Sequence, residues 1–241
     1  MDKLRIKLTF SCHQLKVPLN YNHLIQGLIY GIFDQEKEGQ FIHDKGYRLE
    51  NKIFKMFVFS NLFGDYEIVD KHMVFKEKVS FYISSFSNEF IEIIYKFFLQ
   101  NEKVIINHQI LSIQKIQFIK LPYFKGEKEC IIQTLSPIVA YRTEDNYVTY
   151  FKPSDLEFEQ FCLNNLKEKS TVLYENDDFI CFECKEVLNE KRRLVKFKNT
   201  FYVSYITTLK LKVNYETLSL LYDTGISSKC PAGFGMIELM E

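Results

Sequence analysis

The same order of secondary-structure elements is predicted twice, in two successive passes along this 241-residue chain. This repetition constrains the fold more than any other feature of the sequence. In the first pass, a strand-like segment at Leu4–Phe10 precedes a helix predicted over Asn20–Phe33, where apolar residues recur at helical spacing. Two strand segments follow, then a helix predicted over Asn88–Gln100 with Ser87 as its N-cap, and a last strand region that ends at Ile119. The order β-α-β-β-α-β is typical of a ferredoxin-like unit.

The second pass begins after a turn-rich segment, residues 122–129, which is typical of a linker. Strands and a third helix follow, and Ser154 and Glu157 predict a capping box at the start of that helix. Three further strands near Phe179–Val187, Arg193–Phe197 and Tyr202–Val213, a short helix and a final strand complete the pattern. We therefore predict an α+β protein of two tandem ferredoxin-like (RRM/RAMP-type) domains, which comprise residues 1–122 and 123–241.

The composition limits the classes of function. Apolar residues make up 46% of the chain, and no apolar run approaches the ~20 residues that span a bilayer. The first residues alternate charged and apolar side chains, unlike a signal peptide, so we expect a cytoplasmic protein with no membrane partner and with reduced cysteines. A net charge of zero argues against indiscriminate binding of polyanions, but it leaves room for a local basic patch.

A metal site is not expected from the sequence. Cys181 and Cys184 form a C-x-x-C pair, but no second ligand pair follows at the spacing of a zinc finger. Residues three apart in a strand point to opposite faces, so these two thiols would not converge. The sequence also contains no carboxylate cluster that suggests two-metal nuclease chemistry. We predict neither a metal nor another cofactor.

A basic stretch lies between residues 191 and 212, where seven basic residues occur without an acidic one. Tyr202 and Tyr205 are interleaved, and aromatic rings beside basic groups suit unstacked RNA bases. A solvated face of a β-hairpin explains the pattern equally well. The candidate RNA contacts in this stretch are Lys191, Arg192, Arg193, Lys196 and Lys198.

A glycine-bearing loop, Gly225–Gly235, lies close to the end of the chain. Glycines and small residues let a backbone approach a polyanion, and successive N–H groups can form a phosphate-binding concavity. No Lys-Ser/Thr pair follows the last two glycines, so the loop is not that of a nucleoside triphosphatase. The alternatives are a simple hairpin or a loop that packs the two domains together. The candidate RNA contacts here are Gly225, Ser227, Lys229, Gly233 and Gly235.

Among the five histidines, His43 is the candidate for proton transfer. It stands in a predicted loop, after a polar stretch and beside the turn at Gly46, where it is free to meet a substrate. The other four histidines fall in or beside predicted helices and strands, where a structural role is commoner. A solvated loop residue is the alternative interpretation of His43.

Four segments, taken together, have the pattern of a known family. They are Lys16–Tyr30, Phe41–His43 followed by Lys55–Ser60, Thr134–Ile138, and Gly225–Met236. In this order they resemble the opening strand and helix, the catalytic region, the start of the second domain and the glycine-rich signature of the CRISPR-associated repeat-processing endoribonucleases, the Cas6 family of the RAMP superfamily. Ser227 stands where that family usually has a glycine.

The resemblance implies a metal-independent endoribonuclease that binds CRISPR repeat RNA and cuts the precursor within each repeat. In that family, the 2′-OH attacks the adjacent phosphorus and leaves a 2′,3′-cyclic phosphate and a 5′-OH. Carried over to this chain, His43 is the acid or base, Lys55 stabilises the transition state, and Tyr30 is a base or a positioning group. Lys52 is the alternative to Lys55 as the lysine that matches the family's catalytic lysine, but Lys55, directly before Met-Phe-Val-Phe-Ser, aligns better.

Two other classes of function remain open at this point. A family member that binds repeat RNA but has lost cleavage would serve as a structural subunit, and the presence of His43 favours the enzyme over it. A ferredoxin-like module that binds a small molecule would not need the basic stretch. Other CRISPR-associated proteins of an interference complex are candidate partners, and the sequence does not distinguish a monomer from a homodimer.

Overall fold

The protein builds one large antiparallel sheet from each half of its chain, and the computed structural model describes residues 5–34, 46–145 and 147–240. The elements of the first half are β1 (Arg5–Pro18), α1 (Asn22–Asp34), β2 (Tyr47–Leu49), β3 (Lys52–Phe54), β4 (Phe57–Phe59), β5 (Tyr66–Val69), β6 (His72–Ser85), α2 (Asn88–Gln100), β7 (Lys103–Ile106) and β8 (Gln109–Ile119). Those of the second half are β9 (Glu127–Thr134), β10 (Tyr141–Glu144), β11 (Tyr147–Tyr150), α3 (Leu156–Tyr174), β12 (Phe182–Phe197), β13 (Thr200–Asn214), α4 (Tyr215–Thr224) and β14 (Ile237–Leu239).

Both sheets have the strand order of a ferredoxin-like unit. The first sheet has the order β4-β6-β1-β8-β7, with β5 also paired to β6, and the second has the order β12-β13-β9-β14. In each half, the first and third strands of the unit are neighbours and helices make the connections that cross the sheet. The predicted α+β fold of two tandem ferredoxin-like domains is confirmed. The division after residue 122 stays a prediction, and it falls between the end of β8 and the start of β9.

The first core is rich in phenylalanine. Helix α1 buries Ile25, Ile29 and Phe33, because these residues recur on one side of the helix. The ring centroid of Phe33 lies 4.6 Å from that of Phe90 on α2, and Phe90 in turn lies 4.9 Å from Phe57 on β4. Each such buried side chain stabilises the fold by about 1.5–3 kcal/mol. The stack therefore ties α1 and α2 to the strand that follows Lys55.

The second core lies beneath α3. This helix buries Phe158, Cys162 and Leu166 at intervals of four residues, and they belong to the same apolar cluster as Leu209 and Leu211 of β13. The alternation of buried and half-buried residues along β13 leaves its other face turned away from the helices. Each half of the molecule therefore has a helix-covered face and an open face.

The capping box predicted at Ser154 is wrong. The helix begins at Leu156, its N-cap is Asp155, and the Asp155 side chain makes no capping hydrogen bond. The Asp155 carboxylate instead accepts a hydrogen bond from the backbone N–H of Lys152 at 3.0 Å, while the N–H of Ser154 donates to Glu190 on β12. The tertiary contact with β12 replaces the local capping pattern.

The strands also differ from their predicted bounds. The predicted linker overlaps β9, which begins at Glu127 because its first residues pair with the end of β13. Ion pairs from Lys212 to Glu127 and from Lys210 to Glu129, both at 2.7 Å, lie across this pairing. The two short strands predicted before residue 200 form one strand, β12, which contains register shifts near Cys184 and Val187. Helix α2, by contrast, has its predicted bounds, and Ser87 accepts a hydrogen bond from the N–H of Phe90.

Arg5 joins the two halves. Its guanidinium donates to the carbonyl oxygens of Ile237, at 2.6 Å, and Tyr222, at 2.7 Å, and it lies 3.3 Å from the centroid of the Tyr222 ring. Burial lowers the pKa of Arg5 to about 10, so the side chain stays charged at neutral pH. A buried charge is tolerated only with such partners, so Arg5 specifies how β1 meets the last strand.

Candidate functional site

Tyr30 lies in the last turns of α1, at the edge of the first core. Its ring is half-buried and meets the ring of Phe57 edge-on, with 5.9 Å between the centroids. Burial raises the pKa of Tyr30 above its usual value near 10. The phenol therefore stays protonated at neutral pH, which suits a hydrogen-bond donor better than a general base.

Lys55 lies between β3 and β4, two residues before Phe57. Met56 has a left-handed backbone, with φ of 46°, and this turn directs the chain from the β2–β3 hairpin into β4 of the large sheet. The partly buried Lys55 side chain packs against Gly46: a Cβ added to Gly46 would lie 3.1 Å from Lys55 Cδ and 2.9 Å from the carbonyl oxygen of Phe54. The ring contact with Phe57, two residues after Lys55, thus brings Tyr30 to the first residue of β4.

His43 lies outside the described residues, so its role stays a prediction. Gly46 is the first described residue after the segment that contains it. The described part of the chain therefore includes two of the three predicted catalytic residues.

Lys52, the competing lysine, has a different environment. Its ammonium forms an ion pair with Glu168 on α3, and its side chain is 62% exposed. This ion pair joins the β2–β3 hairpin of the first half to the long helix of the second half. The contact gives Lys52 a role in holding the halves together, whereas the Lys55 side chain packs against Gly46.

The glycine loop packs against the first half, and the backbone N–H groups of its glycines form hydrogen bonds within the protein. The N–H groups of Gly225, Gly233 and Gly235 donate to the carbonyl oxygens of Leu221, Cys230 and Pro137 at 2.8, 3.0 and 2.9 Å. Gly233 has φ of 82°, and a Cβ there would overlap the ring of Phe59 and lie 2.7 Å from Asn22 Nδ2. At Gly235, with φ of 73°, a Cβ would overlap the carbonyl oxygen of Ile226. This geometry favours interdomain packing, the alternative left open by the sequence.

The same loop is fastened to α1, the helix that carries Tyr30. Asn22 Nδ2 donates to the carbonyl oxygens of Ala232 and Gly233 at 3.0 and 3.1 Å, and Gln26 Nε2 donates to that of Pro231 at 2.8 Å. Sequence reasoning missed both side chains. The signal was present, because Asn22 is a polar residue beside the apolar positions of a helix, where burial requires a hydrogen-bond partner.

Ser227 and Lys229 both have left-handed backbones, with φ of 74° and 61°. Ser227 is buried, and its hydroxyl donates to the carbonyl oxygen of Val139. That hydrogen bond offsets part of the backbone strain at a position where the family that this chain resembles usually has a glycine. Lys229 is the exposed member of the candidate set in this loop.

The basic stretch forms the long β12–β13 hairpin. The candidate side chains alternate between its two faces: Lys191 and Arg193 lie opposite Ile206 and Ser204, whereas Arg192 and Lys196 lie opposite Tyr205 and Phe201. Lys198, with φ of 54°, lies in the turn. All five side chains are exposed, and no ion pair among the described residues includes them. The hairpin thus carries positive charge on both faces.

Residues 5–34, 46–145 and 147–240 contain neither a metal-ligand cluster nor a membrane-spanning helix. Within these ranges, no group of three or more His, Cys, Asp or Glu side chains has the geometry to hold a metal ion. All six cysteines are free thiols. In the same ranges, no helix combines the length and apolar character that a membrane span requires.

Known proteins share both the sequence pattern and the fold. Residues 119–239 match the family model described as CRISPR associated protein Cas6, C-terminal. The chain is 28% identical to the CRISPR-associated endoribonuclease Cas6 1 of Methanocaldococcus jannaschii, over 100% of this chain and 94% of that protein. It is 23% identical to the CRISPR-associated endoribonuclease Cas6 of Pyrococcus furiosus, over 93% and 84%. A solved structure described as CRISPR associated protein Cas6 has a TM-score of 0.82 and 25% identity, covering 100% of both chains.

Replacing Gly233 tests the packing role of the loop. Gly233→Ala should lower the free energy of unfolding by about 2–4 kcal/mol, because backbone strain adds to overpacking against Phe59 and Asn22. Gly126→Ala is the matched control, since Gly126 has φ of 73° and no atom within 4 Å of an added Cβ. It should show the strain alone, about 1–2 kcal/mol. Equal losses for the two variants in urea unfolding would contradict the close approach.

Proposed function

Since this chain belongs to the CRISPR-associated Cas6 family, we propose that it binds CRISPR repeat RNA and cleaves the precursor within each repeat, without a metal ion. The 2′-OH at the cut attacks the adjacent phosphorus, and the products carry a 2′,3′-cyclic phosphate and a 5′-OH. One observation carries the proposal beyond family membership. The glycine loop of the second half is fastened to α1, and the same helix brings Tyr30 to the strand that follows Lys55.

In this reaction one proton leaves the 2′-OH and another is supplied to the departing 5′ oxygen. His43 performs one of these transfers, because an imidazole with a pKa near ~6.5 exists in both forms at neutral pH. The three peptide units between His43 and Gly46 span at most about 11 Å. Gly46 packs on Lys55, so covalent connectivity supports a shared site for His43 and Lys55.

Lys55 stabilises the additional negative charge of the pentacovalent transition state. Tyr30 donates a hydrogen bond that positions the scissile phosphate or the 2′-OH, because its raised pKa keeps the phenol protonated. Lys52 has a structural role through Glu168. The division of labour is acid–base chemistry at His43, charge stabilisation at Lys55 and orientation at Tyr30.

RNA binding falls mainly to the second domain, residues 123–241, while residues 1–122 carry the chemistry. The exposed cations of the β12–β13 hairpin and of Lys229 hold phosphates, and these contacts position the RNA without reading its sequence. Contact of RNA with Gly225, Ser227, Gly233 and Gly235 stays a prediction. Association with other CRISPR-associated proteins and a cytoplasmic location are also predictions, drawn from the resemblance and the composition.

Cleavage of a labelled repeat RNA should proceed in excess EDTA and stop when the 2′-OH at the cut is replaced by 2′-H. The deoxy substrate should still bind, because phosphate and base contacts remain. The measurement is a single-turnover time course with mapping of product ends, and the unmodified repeat in EDTA is its control. Cutting of the deoxy substrate, or dependence on added magnesium, would overturn the mechanism.

His43→Ala should lower the single-turnover rate by roughly 10²-fold or more and change RNA affinity little, as expected for an acid–base group. His13→Ala is the matched control, because His13 is an exposed histidine on β1. Near-normal cleavage by the His43 variant would place the chemistry elsewhere. If wild-type protein binds the repeat but cuts nothing, the chain is a structural RNA-binding subunit.

Lys55→Ala should slow the cleavage step by about 10- to 100-fold at saturating enzyme, because one charge that stabilises the transition state is lost. Lys52→Ala should slow it much less. Glu168→Ala serves as the control, since it breaks the same ion pair as Lys52→Ala and leaves both lysines in place. A cleavage defect in Lys52→Ala that exceeds both others would reassign the catalytic lysine.

The double variant Arg192→Gln/Arg193→Gln should weaken RNA binding and flatten its salt dependence. Loss of two phosphate contacts reduces the magnitude of the slope of log K against log salt by about 1.4 on single-stranded RNA. Lys210→Gln, which also removes a positive charge from β13, is the control, because Glu129 already pairs with that lysine. An unchanged slope in the double variant would remove the hairpin from the binding surface.

A further inference from the structure

Lys229 lies within a group of tyrosines between two hairpins. Its ammonium is 5.8 Å from the ring centroid of Tyr141 on β10 and 5.8 Å from that of Tyr202 on β13. The centroids of these two rings are 6.3 Å apart, and Tyr150 on β11 lies 5.7 Å from Tyr141. We call Lys229, Tyr141 and Tyr202 the tyrosine–lysine cluster.

Two backbone bridges hold the cluster in place. Ile138 pairs with Tyr205 of β13, and the next residue, Val139, pairs with Ser228 of the glycine loop, whose N–H donates to Val139 at 3.1 Å. The segment that leads into Tyr141 is therefore fastened on one side to the basic hairpin and on the other to the residue before Lys229. The position of Lys229 relative to both tyrosines follows from these main-chain bonds.

The cluster stands on a buried apolar floor. Phe234, Val139 and Ala232 form this floor, and the centroid of Phe234 lies 5.8 Å from that of Tyr202. The Tyr150 hydroxyl donates to the carbonyl oxygen of Phe201 at 3.2 Å, which joins the β10–β11 hairpin to the basic hairpin. The rings are thus held in fixed orientations and keep part of their surface accessible.

The described groups that contact the Lys229 ammonium are neutral. No carboxylate among the described residues forms an ion pair with it. Burial lowers the pKa of Lys229, but the phenols of Tyr141 and Tyr202 raise it, and the net shift is upward. The backbone of Lys229 is left-handed, with φ of 61°, which is uncommon for a residue other than glycine. A protonated lysine in a strained and ordered position, without an acidic partner, suits an anionic ligand.

The cluster is also connected to α1, the helix that carries Tyr30, by a tertiary hydrogen bond. Two residues after Lys229, the carbonyl oxygen of Pro231 accepts the hydrogen bond from Gln26. Gln26 is four residues before Tyr30 on α1, about 6 Å along the helix axis. Two residues of chain, one side-chain hydrogen bond and one helical turn therefore connect Lys229 to Tyr30.

We propose that the tyrosine–lysine cluster binds one unpaired nucleotide of the repeat RNA and thereby determines which phosphate reaches the catalytic residues. Lys229 contacts the phosphate of that nucleotide, and the aromatic surface of Tyr141 and Tyr202 stacks on its base. Unpaired bases are the part of RNA that aromatic side chains read. The proposal rests on the proposed function and specifies how the cut position is selected.

Four single variants test the cluster. Lys229→Met removes the positive charge and keeps most of the side-chain volume, whereas Lys229→Arg retains the positive charge. Tyr141→Leu and Tyr202→Leu each remove one ring. Lys71→Met is the matched control, because Lys71 is an exposed lysine with nearly the same left-handed backbone, φ of 62°, in the β5–β6 turn of the first half. Each variant is assayed for unfolding temperature, for repeat-RNA affinity over a range of salt, and for product ends at saturating enzyme.

Lys229→Met should reduce the magnitude of the slope of log K against log salt by about 0.7 and give products cut at more than one position. Lys229→Arg should keep the wild-type slope and the single cut position. The tyrosine variants should weaken binding by about 5- to 100-fold without change in the salt slope, because a stacked base carries no charge. An abasic nucleotide at one repeat position should remove the effect of the tyrosine variants.

Wild-type affinity and a single cut position in Lys229→Met and in both tyrosine variants would overturn the proposal. Should a tyrosine variant fail to fold, Tyr141→Phe and Tyr202→Phe keep the rings and should retain the stacking. A lowered unfolding temperature in Lys229→Met with an unchanged salt slope would mean that the cluster only joins the hairpins. Failure of the wild-type protein to bind or cut the repeat would instead reject the proposed function, so the two failures are distinguishable.

Discussion

The backbone of the glycine loop lies closer to the first half of the molecule than any side chain would permit. A Cβ at Gly233 would overlap Phe59 and press on Asn22, while the Asn22 amide bonds to the carbonyl oxygens of Ala232 and Gly233. This close approach fastens the end of the second half to the start of α1. The hydrogen bond from Gln26 to Pro231 extends the contact by one helical turn towards Tyr30.

The two halves are joined at further points around this contact. Arg5 bonds to the carbonyl oxygens of Tyr222 on α4 and Ile237 on β14, and Lys52 pairs with Glu168 on α3. The buried Arg5 is specific because an unpaired charge in that position would be costly. The exposed Lys52 pair contributes less, since solvent screens it. The proposed function, in which groups on one half cut RNA and groups on the other hold it, requires such a defined relation between the halves.

The proposed division between catalysis and binding follows from the chemistry of each surface. Tyr30 and Lys55 are partly buried, as suits the orientation and charge stabilisation proposed for them. The β12–β13 hairpin carries many exposed cations on both faces, as suits contacts with phosphates. The tyrosine–lysine cluster joins Tyr202 of that hairpin to Lys229 of the glycine loop, where a lysine without an acidic partner among the described residues stands beside aromatic rings. Such a position suits the selection of the cut site.

Local patterns predicted the regular elements well. The bounds of α2 and its Ser87 cap follow from a strong helical stripe and a single capping residue. The capping box at Ser154 failed, because Asp155 and Glu190 form other bonds with the same backbone. The length of β12 was also missed, since pairing with β13 continues through irregular register that no local periodicity shows.

The sequence by itself determined the fold class and the basic stretch, and through the family resemblance it supplied the candidates Tyr30, His43 and Lys55, because periodicity, residue type and motif order can be read along the chain. Tertiary structure alone decided that the glycine amides bond within the protein, that Lys52 meets Glu168, and that Lys229 meets Tyr141 and Tyr202. These contacts join residues far apart in the chain. Their partners are selected by the packing of two sheets, which depends on shape and on the satisfaction of buried polar groups rather than on spacing along the sequence.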